Sequence, residues 1–170
     1  TGAAIEQARA MLDSAVDGFV FASPSTAIGG SFHYENGGAA DLPALLRELR
    51  RAFHLDSDRV YVFGVEAGAD AAWMAAVSHA DLFAGVIAVS GYPRVLYADQ
   101  VYPFLLENLA HLPVLSVWRS VDGDSLAKRL RLCNSYNRAI AALAQRHAWP
   151  VTSVAIDAAP SEVLLPPRGA

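Results

Sequence analysis

The sequence predicts an α/β protein, a three-layer α/β/α arrangement around a mostly parallel sheet, and two observations support this. Five short apolar runs are near-continuous hydrophobic blocks, as expected for parallel strands that helices cover on both faces. Stretches with helical spacing separate these runs, which gives the alternating order of an α/β domain. The predicted strands are Gly18–Ala22, Val60–Gly64, Val86–Ser90, Val114–Trp118 and Val151–Asp157.

The helices are predicted from apolar residues that recur at helical spacing between the strands. Asp41 is a favoured N-cap type, and Pro43 suits the first turn of the helix that follows it. Ser125 is expected to cap the last helix. The predicted helices are Ala3–Val16, Asp41–Phe53, Ala67–Ser78, Asp99–Ala110 and Ser125–His147.

Length and composition narrow the function classes. The chain of 170 residues is expected to form a single domain over 1–170, with 158–170 as a frayed tail. Hydrophobic residues at 54% and charged residues at 18% exclude a disordered chain. A net charge of -4 with scattered basic residues argues against a nucleic-acid partner. The one cysteine, Cys133, excludes an intrachain disulfide, and we expect neither a metal nor a cofactor.

Targeting signals are not apparent in the sequence. No apolar run approaches the roughly 18–20 residues that cross a bilayer, so no membrane partner is expected. No signal peptide opens the sequence, which favours a cytoplasmic location. The abundance of alanine and arginine is typical of a GC-rich genome, and we expect a bacterial source.

The segment Gly64-Val65-Glu66-Ala67-Gly68 follows a predicted strand and opens a predicted helix. This context is typical of the G-x-S-x-G nucleophile elbow, in which the central residue occupies a tight, strained turn. Ligands of open parallel sheets bind outside the carboxyl ends of the strands. The elbow and the other segments that directly follow strands are therefore the candidate functional residues.

From Asp17 to Asp157 the sequence resembles the α/β-hydrolase superfamily. It is most similar to the esterase, polyhydroxybutyrate-depolymerase-like and prolyl-oligopeptidase-like branches. The residues that carry the resemblance are Asp56–Gly64 (DSDRVYVFG), the elbow, Trp73, His79–Gly85 (HADLFAG), Val89–Pro93 (VSGYP) and Leu112–Val114 (LPV). The resemblance implies a hydrolase-type fold and an ancestor that acted on acyl bonds.

The sequence departs from the family's catalytic pattern at several positions. Glu66 stands where the family has its serine nucleophile, and Asp122 or Asp124 is placed to supply the acid. The resemblance implies a histidine after Val151–Asp157, but Ala158–Glu162 contains none. The family also has strands and an oxyanion loop before its first helix, where this sequence begins. We therefore expect a fragment or module of a longer chain.

Glu66 allows two interpretations. The dehalogenase and epoxide-hydrolase branches use a carboxylate nucleophile at this position, together with a histidine that activates water. The interpretation we favour is an elbow that has kept its turn and lost its nucleophile. In either case the carboxylate is expected to accept N–H groups from the start of the helix.

His33 is the one histidine that follows a predicted strand at the candidate functional edge. The other histidines are expected at the opposite edge: His54, His79, His111 and His147. The residues expected to line a binding cleft are Ser31, Tyr34, Val65, Ala67, Ser90 and Tyr92.

The sequence thus predicts a catalytically impaired hydrolase-like domain with a structural or ligand-binding role. A small molecule or a protein would occupy the former active-site cleft. The alternative is an active hydrolase of ester or amide bonds that uses Glu66 with His33 or with groups outside this chain.

Overall fold

The computed structural model describes residues 2–12, 17–24, 38–93, 96–97, 100–101, 106–120 and 128–157. The helices in these ranges are α1 (Gly2–Leu12), α2 (Gly38–Ala52), α3 (Ala67–Ser78) and α4 (Lys128–His147). The strands are β1 (Tyr61–Val65), β2 (Gly85–Val89), β3 (Leu96–Tyr97), β4 (Gln100–Val101), β5 (Val114–Arg119) and β6 (Val151–Ile156). Short 3-10 turns cover Ser57–Arg59, Ala80–Leu82 and Glu107–Ala110.

Within the described residues, the main sheet has four strands in the order β1-β2-β5-β6. Every neighbouring pair in it is parallel, which confirms the predicted fold class. Val65 of β1 is level with Val89 of β2, which is in turn level with Val117 of β5 and Val154 of β6. The short strands β3 and β4 form a separate antiparallel pair.

The core lies on the sheet face that α3 and α4 cover. Val86 of β2 and Val114 of β5 are register partners that point to this face, and both are buried there. The helix α3 is so rich in small apolar residues that it packs closely on β1 and β2. The buried core residues are Ala69, Ala72, Trp73, Met74, Ala76, Val77, Val86, Ala88, Leu106, Leu109, Leu112, Val114 and Ile140.

The opposite face of the sheet carries the alternate residues of each strand. The Phe19 ring packs edge-on against Tyr61 of this face at 5.9 Å, and Arg9 of α1 lies over Phe21. The N-terminal segment therefore lies on this side, which is consistent with a three-layer arrangement. Tyr61, Leu115 and Val154 on this face are 53%, 36% and 38% exposed.

Four strand predictions and the elbow helix are confirmed within one residue at each end. The predicted strand Gly18–Ala22 is wrong, because residues 19–24 are irregular and pair with no described strand. The apolar residues of this segment make aromatic contacts instead of strand pairing. Besides its contact with Tyr61, the Phe19 ring has the Arg59 guanidinium over it at 5.1 Å.

Two predictions about helices need correction. Asp99–Ala110 is not one continuous helix, because its described residues include strand β4 and the 3-10 turn Glu107–Ala110, and only Leu106 among them is α-helical. A proline at position 103 disfavours helix at the residue before it. Asp41 does not cap α2, which begins three residues earlier at Gly38.

The predicted cap Ser125 and the predicted tail 158–170 lie outside the described residues. No helix in the described ranges has both the length and the hydropathy needed to cross a bilayer.

Candidate functional site

The predicted elbow is a sharp turn between β1 and α3. Glu66 occupies its apex with φ 52° and ψ -111°, a left-handed conformation that is strained for a residue with a side chain. The Glu66 N–H donates to the Val89 carbonyl at 2.8 Å. The Glu66 carbonyl accepts from the N–H groups of Ala69 and Asp70 at 3.0 and 3.1 Å. Strand β2 and the first turn of α3 therefore hold the strained residue from both sides.

Glycine at position 64 is what allows the strand and the helix to meet. A Cβ atom on Gly64 would lie 2.0 Å from the carbonyl oxygen of Gly68, far inside van der Waals contact. A Cβ atom on Gly68 itself would meet nothing within 4 Å. The first glycine of the motif is therefore required by the close approach of backbones, and the second is not.

The Glu66 side chain does not behave as predicted. It makes no capping hydrogen bond to α3, so the expectation that it accepts N–H groups from the helix start is wrong. A capping residue normally has an extended backbone, which brings its side chain over the first turn of the helix. Glu66 has a left-handed backbone instead, so its side chain is not brought over that turn. Glu66, Ala67 and Gly68 are all exposed, so the apex faces solvent.

A second strained turn stands beside the elbow, at the end of β2. Ser90 has φ 61°, and its N–H donates to the Val117 carbonyl at 2.8 Å. Because Val65 and Val89 are register partners, Ser90 follows β2 at the level where Glu66 follows β1. A Cβ atom on Gly91 would lie 2.4 Å from the Ala69 Cβ, so this turn lies directly against α3. Two left-handed residues thus stand side by side at the carboxyl edge of the sheet.

An ion pair lies behind these two turns. Asp70 of α3 is fully buried, and its Oδ2 accepts from Arg129 of α4 at 2.6 Å. Its Oδ1 accepts from the Tyr92 N–H at 3.2 Å. A second nitrogen of Arg129 donates to the Ser90 carbonyl at 3.4 Å. The hydrogen bond to Asp70 raises the pKa of Arg129 above its ordinary value, although partial burial acts in the opposite direction.

Asn137 of α4 extends this polar network below the turn. Its side-chain nitrogen donates to the carbonyls of Gly91 at 2.9 Å and Cys133 at 2.8 Å. Its Oδ1 accepts from the Ser116 hydroxyl of β5 at 2.6 Å. Both Asn137 and Ser116 are buried, so these polar groups satisfy one another inside the core.

The structure brings together some of the predicted site residues. Glu66, Val65, Ala67, Ser90 and Tyr92 lie together at the carboxyl edge of the sheet. Tyr92, however, is buried at 4% exposure and stacks on Tyr136 of α4, so it supports the turn instead of lining an open cleft. The remaining predicted site residues lie outside the described residues: Ser31, His33, Tyr34, Asp122 and Asp124.

The four described histidines occupy the opposite edge of the sheet, as predicted. They precede β1, end α3, precede β5 and end α4: His54, His79, His111 and His147. Within the described ranges, no group of three or more His, Cys, Asp and Glu side chains could hold a metal ion.

Sequence reasoning missed Asp70, Arg129 and Asn137. The available signal was Asp70, the one charged residue in a twelve-residue helix of otherwise small and apolar character. A carboxylate in such a helix needs a buried partner. Its partner is 59 positions away in the sequence, and the sequence alone does not identify it.

The thiol of Cys133 gives this network a pH dependence. Burial is the main cause that raises the pKa of Cys133 from 9.0 to about 11. Below pH 9 the thiol is protonated in both the folded and the unfolded chain. Between these two values the unfolded chain releases the proton first. We therefore expect the free energy of unfolding to fall by roughly 2 kcal/mol as the pH rises through this window.

Urea unfolding of the protein and of a Cys133→Ala variant at pH 8 and pH 10.5 measures this contribution. The unmodified protein should lose more stability than the variant, which cannot titrate at position 133. Equal losses in the two proteins would show that the thiol does not contribute.

Comparisons with known proteins give structural similarities of low identity. No protein family and no curated protein matches the sequence. A thermostable esterase has a TM-score of 0.48 and 19% identity, and the match covers 68% of this chain and 28% of that one. An S-formylglutathione hydrolase from Staphylococcus aureus has a TM-score of 0.49 and 14% identity over 72% of this chain and 55% of the other.

The BES protein from Bacillus cereus has a TM-score of 0.49 and 13% identity, over 90% of this chain and 57% of that protein. The chain therefore spans between about a quarter and somewhat more than half the length of these structures. With every TM-score below 0.5, these similarities do not assign a family to the chain.

Proposed function

We propose that this chain is a domain of the α/β-hydrolase type that no longer performs acyl transfer and has a structural or ligand-binding role. One observation carries the proposal. The strained elbow is intact around Glu66, with φ 52° and with Gly64 against Gly68, but its apex presents a carboxylate and no hydroxyl. A carboxylate at the apex provides no hydroxyl nucleophile and no hydrogen-bond donor for the oxyanion of an acyl-transfer reaction.

The histidines support the same proposal. A serine nucleophile needs an imidazole within hydrogen-bond reach. The four described histidines are at the opposite edge of the sheet from Glu66, and residues 158–170 contain no histidine. Strained backbone persists where the surroundings over-determine it, and such sites are commonly functional. The retention of two left-handed residues at one edge therefore favours a ligand-binding role for the exposed apex.

The test compares the protein with Glu66→Gln in hydrolysis of short-chain p-nitrophenyl esters and in labelling by a fluorophosphonate probe. We expect neither protein to turn over ester faster than heat-denatured protein, and neither to be labelled. A chain that used Glu66 as nucleophile or base would instead be active, and the Glu66→Gln variant would lose that activity. Such a result would contradict the proposal and establish the active-hydrolase alternative.

A Glu66→Ser variant tests the missing base. We expect it to fold, because serine is the usual residue at such an apex. We also expect it to remain inert, because a hydroxyl without a base is a poor nucleophile. Circular dichroism and the same ester assay measure the two outcomes. Combining Glu66→Ser with Ser161→His supplies the missing group as a positive control. Robust hydrolysis by Glu66→Ser alone would show that a base is already present.

A further inference from the structure

We infer that Arg129 is a positioning residue for the elbow, acting through Asp70 and the Ser90–Tyr92 turn. This inference rests on the proposed function. It names the residue that keeps the exposed apex of the elbow in place. Arg129 does not have to touch a ligand to do this. It lies behind the edge, where it joins α4 to both α3 and the end of β2.

The geometry of the Asp70–Arg129 pair fixes the relative orientation of the two side chains as well as pairing their charges. Two nitrogens of the guanidinium contact both carboxylate oxygens, at 2.6 and 3.3 Å. Such a fork sets the relative orientation of the two side chains, which a lysine ammonium does not. The Asp70 side chain is 0% exposed and that of Arg129 is 38% exposed, so the guanidinium reaches the buried carboxylate from a position that is partly open to solvent.

The same pair is hydrogen-bonded to both ends of the Ser90–Tyr92 turn after β2. Arg129 donates to the Ser90 carbonyl, and Asp70 accepts from the Tyr92 backbone N–H. The guanidinium also lies over the Tyr92 ring, 5.8 Å from its centre. Ser90 between these contacts has φ 61°, a conformation that needs outside support to persist. The pair supplies that support from α3 and α4 together.

The Ser90–Tyr92 turn is hydrogen-bonded, through the residue before it, to the elbow. The Val89 carbonyl, directly before Ser90, accepts the backbone N–H of Glu66. Release of Ser90 from its left-handed conformation rotates the peptide units on either side of it. The chain of contacts therefore runs from Arg129 through Ser90 to the backbone of the apex residue.

Residue-resolved hydrogen exchange on the ligand-free protein tests this inference, with Arg129→Lys as the variant and Arg131→Lys as the matched control. Arg131 is exposed on the same helix, two positions away. The reporting amides are those of Glu66, Ser90 and Tyr92. The reference amides are those of Val86 and Val114 at the opposite edge of the same sheet. Their N–H groups donate to the backbone carbonyls of Pro113 and Pro150.

We expect Arg129→Lys to accelerate exchange of the three reporting amides by about tenfold and to leave the reference amides within about twofold. Arg131→Lys should change neither set. Asp70→Asn gives a second route to the same local release, because it weakens both the fork and the acceptor of the Tyr92 amide. Uniform acceleration of all five amides would reduce the pair to a contributor to global stability and overturn the inference.

Acceleration at Tyr92 without any change at Glu66 would also overturn it, since the elbow would then be independent of the pair. The measurement uses no ligand and no substrate. The proposed function therefore stands or falls on the ester and probe assays, separately from this result.

Discussion

A Gly64→Ala variant is expected to lose about 4 kcal/mol of stability, a large fraction of what a domain of this size has. The added methyl group would lie 2.0 Å from the carbonyl oxygen of Gly68, and that neighbour is backbone in the first turn of α3. A flexible side chain could move aside, but here the helix must shift away from β1 and β2. The core depends on that packing, because α3 supplies most of its fully buried residues. Urea unfolding followed by circular dichroism measures the loss.

The matched control is Gly68→Ala in the same motif. Its methyl group meets nothing within 4 Å, and the position is helical. Alanine in place of glycine within a helix is worth about 0.5–1 kcal/mol, so this variant should be slightly more stable than the parent protein. If the two variants were equally damaged, the close approach at Gly64 would not be the cause.

The second large effect is an asymmetry between the two members of the buried ion pair. Arg129→Met removes the guanidinium that contacts both oxygens of the fully buried Asp70 carboxylate, and should cost about 3 kcal/mol. Asp70→Asn leaves Arg129, whose side chain is 38% exposed and can turn toward water, and should cost only about 1 kcal/mol. The free energies of unfolding in urea at neutral pH measure both.

The double variant Arg129→Met/Asp70→Asn separates buried charge from lost packing. Adding Asp70→Asn to Arg129→Met removes the buried carboxylate that has lost its guanidinium, so the double variant should be more stable than Arg129→Met alone. Simple addition of the two single losses would mean that the buried carboxylate is not what makes the Arg129 change costly.

Local patterns were sufficient to predict the central part of this fold. The runs that became β1, β2, β5 and β6 are apolar enough to be covered parallel strands, and they are. Gly18–Ala22 has the same pattern but pairs with no strand in the part of the chain that the structure describes. Its phenylalanines instead pack on Tyr61, Arg59 and Arg9 across the chain. Hydrophobicity predicts that a segment packs against something, and the choice between a strand and an aromatic contact depends on tertiary structure.

The candidate site divides in the same way. The elbow could be predicted because a strand, two glycines and a helix of small residues are contiguous in the sequence. The position of its side chain could not, because it follows from the left-handed backbone of Glu66 and not from residue type. The support behind the elbow joins Asp70 to Arg129 and Gly91 to Asn137, pairs that are 59 and 46 positions apart. Only the folded chain brings these groups together.

The strand order β1-β2-β5-β6 has a consequence for how the chain is made. The strands of the main sheet lie side by side in the order in which a ribosome synthesises them. Each strand therefore meets its partner as it leaves the exit tunnel, at the roughly 5–20 residues per second of translation. We expect the sheet to grow in one direction during synthesis, with β6 joining after β5. A nascent chain that ends before Val151, held clear of the exit tunnel by a C-terminal linker, should then already carry a sheet of β1, β2 and β5.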